Sequence, residues 1–221
     1  MSYLVFFDLD DTLIKGQSQK LLIKFLFQSG KVNLILLVCI YFWFFLYNFN
    51  LIKDVIEVRK RAFLICKGWS VLDTDKLLKN FFDKFIIKSF YNDALSIIRG
   101  HKKNGGVLVL LSSSLFPLVK IVKDYLDFDF CIATKLEISK GSFTGKIDGS
   151  VVYGNSKVNE INKLIKENKF TLNGSYAYSD HYSDLGVFYL VDNPVVVNAR
   201  INDSLFQLAK KNEWQLINFK S

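Results

Sequence analysis

The sequence predicts an α/β protein: a doubly wound parallel sheet with a helical insertion after its first strand. Three observations carry that expectation. Short continuous apolar runs of strand length recur along the chain, beginning with Tyr3-Leu4-Val5-Phe6-Phe7, and are closed by acids, glycines or serines. Stretches with helical spacing alternate with these runs, as in parallel sheets whose strands are covered on both faces. A helix-patterned, basic span from about Lys15 to Phe90 interrupts the alternation once.

The first run is too short for a helix and ends in Asp8-Leu9-Asp10-Asp11, so it reads as a buried parallel strand. Val107-Leu108-Val109-Leu110-Leu111 is the second, entered through Asn104-Gly105-Gly106 and left through Ser112-Ser113-Ser114. Phe130–Ala133, Ser175–Tyr178 and Val195–Val197 supply three more. Leu118, Ile121, Val122, Tyr125 and Leu126 predict one covering helix, and Val158, Ile161, Leu164 and Ile165 another. Turn signals at Lys140-Gly141 and Asp148-Gly149 predict a β-hairpin between Lys135 and Val152. Within the insertion, Leu77, Leu78, Phe81, Phe82, Phe85 and Ile86 form an amphipathic stripe, with Asp73 or Thr74 expected as its N-cap. Ile52, Val55, Ile56, Ala62, Phe63 and Cys66 predict a second helix there. The expected organisation is a core of residues 1–14 and 91–221 with a cap of residues 15–90.

Composition narrows the class. Of 221 residues, 50% are hydrophobic and 23% charged, which excludes a disordered chain. The net charge of +8 is localised: Thr12 to Gly105 holds 16 Lys and Arg against 6 Asp and Glu, while the rest holds 13 against 15. Two His and the dispersed Cys39, Cys66 and Cys131 exclude a zinc site built from those ligands, and the thiols read as buried and reduced. No secretory signal fits before Asp8, so the cytoplasmic side is expected. From Val32 to Ile52 no residue is charged, which hydropathy alone would read as a membrane span. A single crossing would put the first two strands on opposite sides of a bilayer. The run is therefore expected as a buried cap helix or as a hairpin dipping into one leaflet. Trp43 and the flanking Lys20, Lys24, Lys31, Lys53, Arg59, Lys60 and Arg61 favour contact with an anionic membrane surface, at the inner membrane. The positive residues flank an apolar run and form no interleaved stacking platform, so nucleic acid is not an expected partner.

The chemistry concentrates at predicted strand ends. Ligands of open α/β sheets bind outside the carboxyl ends of the strands, where Asp8 and Asp10 both arrive. Crowded carboxylates are costly unless a cation or partner compensates them. Ser112 ends the second strand with Ser113 and Ser114 behind it, and together they offer hydroxyl and amide donors for an oxyanion. Lys157 opens a helix, and Ser179-Asp180-His181-Tyr182-Ser183-Asp184 follows the fourth strand. Each signal alone is weak, and their order together is not.

In these residues the chain resembles the haloacid dehalogenase (HAD) superfamily, in its phosphoserine phosphatase-like subfamily IB. Phe7-Asp8-Leu9-Asp10-Asp11-Thr12-Leu13 matches the first family motif, Leu111-Ser112-Ser113 the second, Lys157 the third, and Ser179-Asp180 with Asp184 the fourth. The stretch from Tyr178 to Leu185, Pro194 to Asn198, and Asn155 with Lys157-Val158 look like the phosphatidylglycerophosphatase C branch. The resemblance implies a phosphomonoester hydrolase. Asp8 would be the nucleophile that forms an aspartyl-phosphate, and Asp10 the general acid and then base. Mg²⁺ would be held by Asp8, the Asp10 carbonyl and Asp180. Ser112, Ser113 and Lys157 would bind the phosphoryl oxygens, with Thr12, Ser183 and Asp184 in support.

Substrate choice is expected to lie in the cap. Where phosphoserine phosphatases carry an acid that reads the substrate amine, this chain has Gln17. With the apolar, basic cap, that favours a lipid phosphate such as phosphatidylglycerophosphate. A soluble metabolite such as phosphoserine is the alternative, and a catalytically silent membrane-bound interaction protein is the alternative of another class.

Overall fold

The computed structural model describes residues 2–32, 55–201 and 203–220. Its strands are β1 (Tyr3–Phe7), β2 (Gly106–Leu115), β3 (Phe130–Ser139), β4 (Ser142–Asp148), β5 (Tyr176–Ser179), β6 (Asn193–Val197) and β7 (Gln215–Ile217). They form one sheet in the order β4-β3-β2-β1-β5-β6-β7, parallel throughout except for the β3–β4 hairpin. The chain builds outward from β1 through β2 and β3, then returns to the other side of β1 with β5. That reversal is the switch point at which open α/β sheets bind ligands.

Alternation within the strands divides the core. Val5 and Phe7 of β1, Leu108 and Leu110 of β2 and Val195 and Val197 of β6 face one apolar cluster. Leu4 and Phe6, Val109 and Leu111, and Val196 face the other. Helices α4 (Asn92–Lys103) and α5 (Phe116–Leu126) cover the first face, contributing Ala94, Ile98, Leu118, Val119 and Val122. Helices α6 (Asn155–Asn168), α7 (Leu185–Phe188) and α8 (Ser204–Lys211) cover the second through Ile161, Val187, Leu205 and Ala209.

The inserted segment supplies α1 (Ser18–Gln28), α2 (Val55–Phe63), a 3₁₀ turn at Leu64–Cys66, α3 (Val71–Phe81) and a π-helical turn at Phe82–Ile86. Phe25, Leu26, Leu78, Phe81 and Phe82 join the same cluster as β1 and β2, so these helices share an apolar core with the sheet. Cys66 packs with Phe63, Leu115, Leu136 and Phe143, which ties the insertion to the β3–β4 hairpin. Apart from Val32, the uncharged run from Val32 to Ile52 lies outside the described residues. Among the described residues no helix is long and apolar enough to cross a membrane.

Several expectations are revised. The N-cap of α3 is Ser70, whose side chain accepts from the Asp73 amide; Asp73 already lies inside the first turn. β2 runs through the serine triplet to Leu115, with a register shift against β3 between Leu111 and Leu115. The serines are thus strand residues at an irregular edge, and Ser112 and Ser114 are buried. Helices α4 and α8 and strand β7 lacked an apolar run long enough to stand out.

Helices α6 and α7 approach so closely that a methyl group on Gly186 would lie 2.8 Å from Val158 Cγ2. Val158 is β-branched and has little rotamer freedom on a helix. Overpacking of this kind costs roughly 1–3 kcal/mol, against a helix-propensity gain of at most about 1 kcal/mol. Gly186→Ala should therefore lose about 1–2 kcal/mol of stability net, seen as a lowered midpoint in thermal unfolding. An unchanged or raised midpoint would show that the two helices yield freely.

Candidate active site

Three adjacent parallel strands, β2-β1-β5, bring the motif residues together at their carboxyl ends. Asp8 directly follows β1, and its amide donates to the Tyr178 carbonyl at 2.9 Å, continuing the ladder toward β5. Asp180 follows β5 on that side, and the serine triplet ends β2 on the other. A cavity of about 410 Å³ opens over them, bounded below by Asp8, Asp10, Lys157, Asp180 and Asp184 and above by the inserted helices.

Its floor is a buried ion triad. Lys157 Nζ donates to Asp8 Oδ1 at 2.7 Å and to Asp184 Oδ2 at 2.8 Å. Side-chain exposure is 4% for Lys157, 11% for Asp8 and 3% for Asp184, so water screens these charges little. Ser179 Oγ donates to Asp184 Oδ2 at 2.6 Å, fixing that carboxylate from the end of β5. Burial drives the Lys157 ammonium toward neutrality, but Asp184 and Asp8 outweigh it and hold the proton more firmly than usual. Asp8 goes the other way. Burial, aided by Asp184 and Asp10, overcomes the pull of Lys157 and raises its pKa to about 7.

Asp180 is raised further, to about 8, by burial and then by the charges of Asp8, Asp11 and Asp184. Thr12 braces it: the buried Thr12 Oγ1 accepts the Asp180 amide at 3.1 Å and donates to Asp180 Oδ1 at 3.4 Å. Burial raises the pKa of both carboxylates and the charge of Asp8 raises that of Asp180 further, a donor set that a hard cation would relieve. Asp8 and Asp180 therefore fit a divalent ion as far as their chemistry goes. Among the described residues no three His, Cys, Asp or Glu side chains are gathered into a metal cage. The Asp10 carboxylate is directed elsewhere, its Oδ1 accepting the Ser18 amide at 2.7 Å.

The remaining expected residues divide. Ser113 lines the cavity, whereas Ser112 is buried and its Oγ accepts the Ser114 amide at 3.1 Å. Ser183 lines the cavity, and its hydroxyl lies 2.8 Å from His181 Nδ1 and 3.4 Å from Asp184 Oδ1. His181 is also at the wall, and burial lowers its pKa. The cap arginines separate cleanly. Arg61 pairs with Glu57 along an exposed helix face, while Arg59 enters the cavity, donates from Nη1 to Ser113 Oγ at 2.8 Å and lies 4.8 Å from the Tyr153 ring centre. Arg59 Nε is buried and has no hydrogen-bond partner among the described residues.

Sequence reasoning missed Tyr153 and Ser18, and it offered Ser114 as an oxyanion donor where the structure turns its hydroxyl to Asp10. Ser114 stood in the quoted triplet, but only strand alternation distinguishes its direction from that of Ser113. Asn198 belonged to the family resemblance without a role. The structure provides one, since its Nδ2 donates to the Asp11 carbonyl at 2.8 Å and holds the loop after β1, where Asp11 has φ of 51°.

Removing the cation of the triad leaves two buried carboxylates facing each other. Losing one partner of a buried pair costs roughly 3–5 kcal/mol. Lys157→Met should destabilise the protein by about that amount in chemical denaturation at neutral pH, and less in acid, where Asp8 is protonated. A loss that does not depend on pH would mean that the triad contributes only packing.

Comparison with known proteins agrees with this geometry. The family model for haloacid dehalogenase-like hydrolases matches residues 5–188. The inhibition of morphological differentiation protein of Streptomyces azureus is 29% identical over 97% of this chain and 77% of its own length. Phosphoserine phosphatase SerB1 of Mycobacterium tuberculosis is 24% identical over 97% of this chain and 70% of its own length. A crystal structure of a protein with unknown function from Bordetella pertussis Tohama I shares the fold, with a TM-score of 0.91 at 22% identity, covering 98% of this chain and 99% of that one. With the family model spanning most of β1, all of β2 to β5, the triad and the serines alike, the chain belongs to the haloacid dehalogenase-like hydrolase family.

Proposed function

We propose that this hydrolase cleaves phosphoric monoesters through an aspartyl-phosphate on Asp8, with Asp10 as acid and then base. The observation that carries the reading is the convergence of Asp8, Lys157 and Asp184 under one cavity with Asp10 at its wall. Asp8 Oδ attacks phosphorus and the ester P–O bond breaks as the Asp10 carboxyl protonates the departing oxygen. Asp10, now a carboxylate, takes a proton from water, whose oxygen attacks the same phosphorus and releases phosphate and Asp8. Lys157 orients Asp8 and offsets the negative charge that gathers over it, and Ser113 faces the phosphoryl position. Asp8, Asp180 and the Asp10 carbonyl would hold Mg²⁺, which supplies charge neutralisation between the carboxylates and an anionic ester.

The cavity's outer wall presents Gln17, Gln19, Lys20 and Arg59. Its basic and amide groups favour an anionic or neutral leaving group over one bearing an ammonium, and the Nε of Arg59, without a partner among the described residues, favours a second acidic group on the substrate. A small soluble phosphate monoester of that kind is the principal reading. A lipid phosphate is the second, and phosphatidylglycerophosphate would pair a terminal monoester with a second anionic phosphate. It is supported by an apolar cavity of about 50 Å³ that shares Gln19, Ile23 and Ala62 with the site, and by the uncharged run between Lys31 and Lys53.

A substrate panel tests both readings: phosphoserine, its hydroxy-acid analogue without the amine, and phosphatidylglycerophosphate in mixed micelles, each with and without Mg²⁺. Phosphate release should favour an ester without an ammonium and should fall by on the order of 10⁴-fold or more in Asp8→Asn. Turnover of every ester by Asp8→Asn at the wild-type rate would exclude the mechanism.

Chelation gives an independent check. Asp8 and Asp180 have folded-state pKa values of about 7 and about 8, above the ordinary 3.8. Protons therefore bind the folded chain more tightly, and their contribution to stability is complete below about 3.8 and lost as pH rises through about 8. In EDTA the thermal midpoint should decline across that window, and Mg²⁺ should raise it most at the alkaline end. Asp180→Asn should flatten both trends. A midpoint indifferent to Mg²⁺ at every pH would count against the cation site.

A further inference from the structure

Asp10 is clasped from two directions. Its Oδ1 accepts the Ser18 amide at 2.7 Å, and Ser114 Oγ donates to Oδ2 at 3.5 Å. The two serine hydroxyls lie 2.6 Å apart, and neither residue is more than 1% exposed. Around them are Leu22, Leu26, Leu115 and Leu118, where an unsatisfied hydroxyl would be costly and two methyl groups would fill the space without needing partners. The hydrogen bonds of these hydroxyls run to each other and to Asp10. Ser114 is aimed by its own amide, which donates to Ser112 Oγ.

We propose that Ser18 and Ser114 are positioning residues for the proton transfers of Asp10, an inference that rests on the hydrolase reading above. When the Asp10 carboxyl gives its proton to the departing oxygen, the bonding pair stays on the carboxylate. The Ser18 amide and the Ser114 hydroxyl, itself accepting from the Ser18 hydroxyl, then donate to a full negative charge instead of a neutral group, and such bonds are roughly twice as strong. The clasp also holds the carboxyl in one rotamer, which proton transfer needs as much as it needs acidity. Ser18 is the first residue of α1, whose N-terminal dipole adds to the effect, and Ser114 is on β2. The acid is therefore aligned only when the inserted helix and the sheet are both in place.

The measurement that separates positioning from packing is leaving-group dependence. An alkyl monoester needs a proton on its departing oxygen, whereas p-nitrophenyl phosphate releases an acidic phenol as its anion. The ratio of kcat/KM for the best alkyl ester of the panel to kcat/KM for p-nitrophenyl phosphate cancels the fraction of active protein in each preparation. It also excludes the later hydrolysis step. General-acid catalysis is worth roughly 10²–10⁴-fold, so the double variant Ser18→Ala, Ser114→Ala should lower the ratio about tenfold or more, with Asp10→Asn setting the limit. Ser114→Thr in an otherwise unaltered chain keeps a hydroxyl and should hold the ratio near that of the wild type. An unchanged ratio in the double variant, beside a collapsed ratio in Asp10→Asn, would overturn the positioning role and leave the hydrolase reading standing. An unchanged ratio in Asp10→Asn itself would overturn both the acid assignment and the proposal.

Discussion

The Lys157 ammonium, held between Asp8 and Asp184 in near-complete burial, is the interaction on which the rest of the site depends. Each partner comes from a different element: Asp8 from the end of the central strand β1, Asp184 from the segment after β5, and Lys157 from the first turn of α6. Desolvating three charges is expensive, and only the short contacts and the extra bond from Ser179 make the arrangement tenable. That cost has a chemical use. A carboxylate stripped of water and left with one directional cation suits the nucleophilic role proposed for Asp8, and burial is the main cause that raises its pKa.

The inserted helices belong to the chemistry as much as to its lid. They share the apolar cluster of β1 and β2, so they pack in one core with the strands that carry Asp8 and the serines. Arg59 reaches from α2 to Ser113 and Tyr153 on the sheet side of the cavity, and the first residue of α1 holds Asp10. The substrate contacts and proton transfers proposed here would thus draw on one packed body. A change in the insertion should be read as a change in alignment before it is read as a change in access.

Much of this was legible in the residues. Asp8, Asp10, Lys157, Asp180 and Asp184 stand in a chain order that a parallel sheet converts into proximity, because its strand ends share one edge. The helix pattern could not tell Arg59 from Arg61. Two residues apart on a helix, they point about 200° apart, and which direction is inward depends on what the helix packs against. Ser112 and Ser113 could not be separated either, since strand alternation sends one into the core and the next into the cavity, and the triplet was expected to lie at the strand's end and beyond it.

What the sequence by itself determined is the alternation of the central strands with covering helices, though not α4, α8 or β7, together with the acids at the strand ends and the family to which they belong. These follow from local rules: apolar runs of strand length, helical periodicity, and charge where a core will not accept it. Tertiary structure alone decided which hydroxyls reach Asp10, which arginine enters the cavity, and how far Asp8 and Asp180 depart from an ordinary carboxylate. Such properties arise from distances between residues far apart in the chain, Thr12 and Asp180 being 168 positions apart, and from water excluded by groups that are not neighbours in the chain. No local pattern encodes a dielectric environment, and the reactivity of this site is chiefly a matter of that environment.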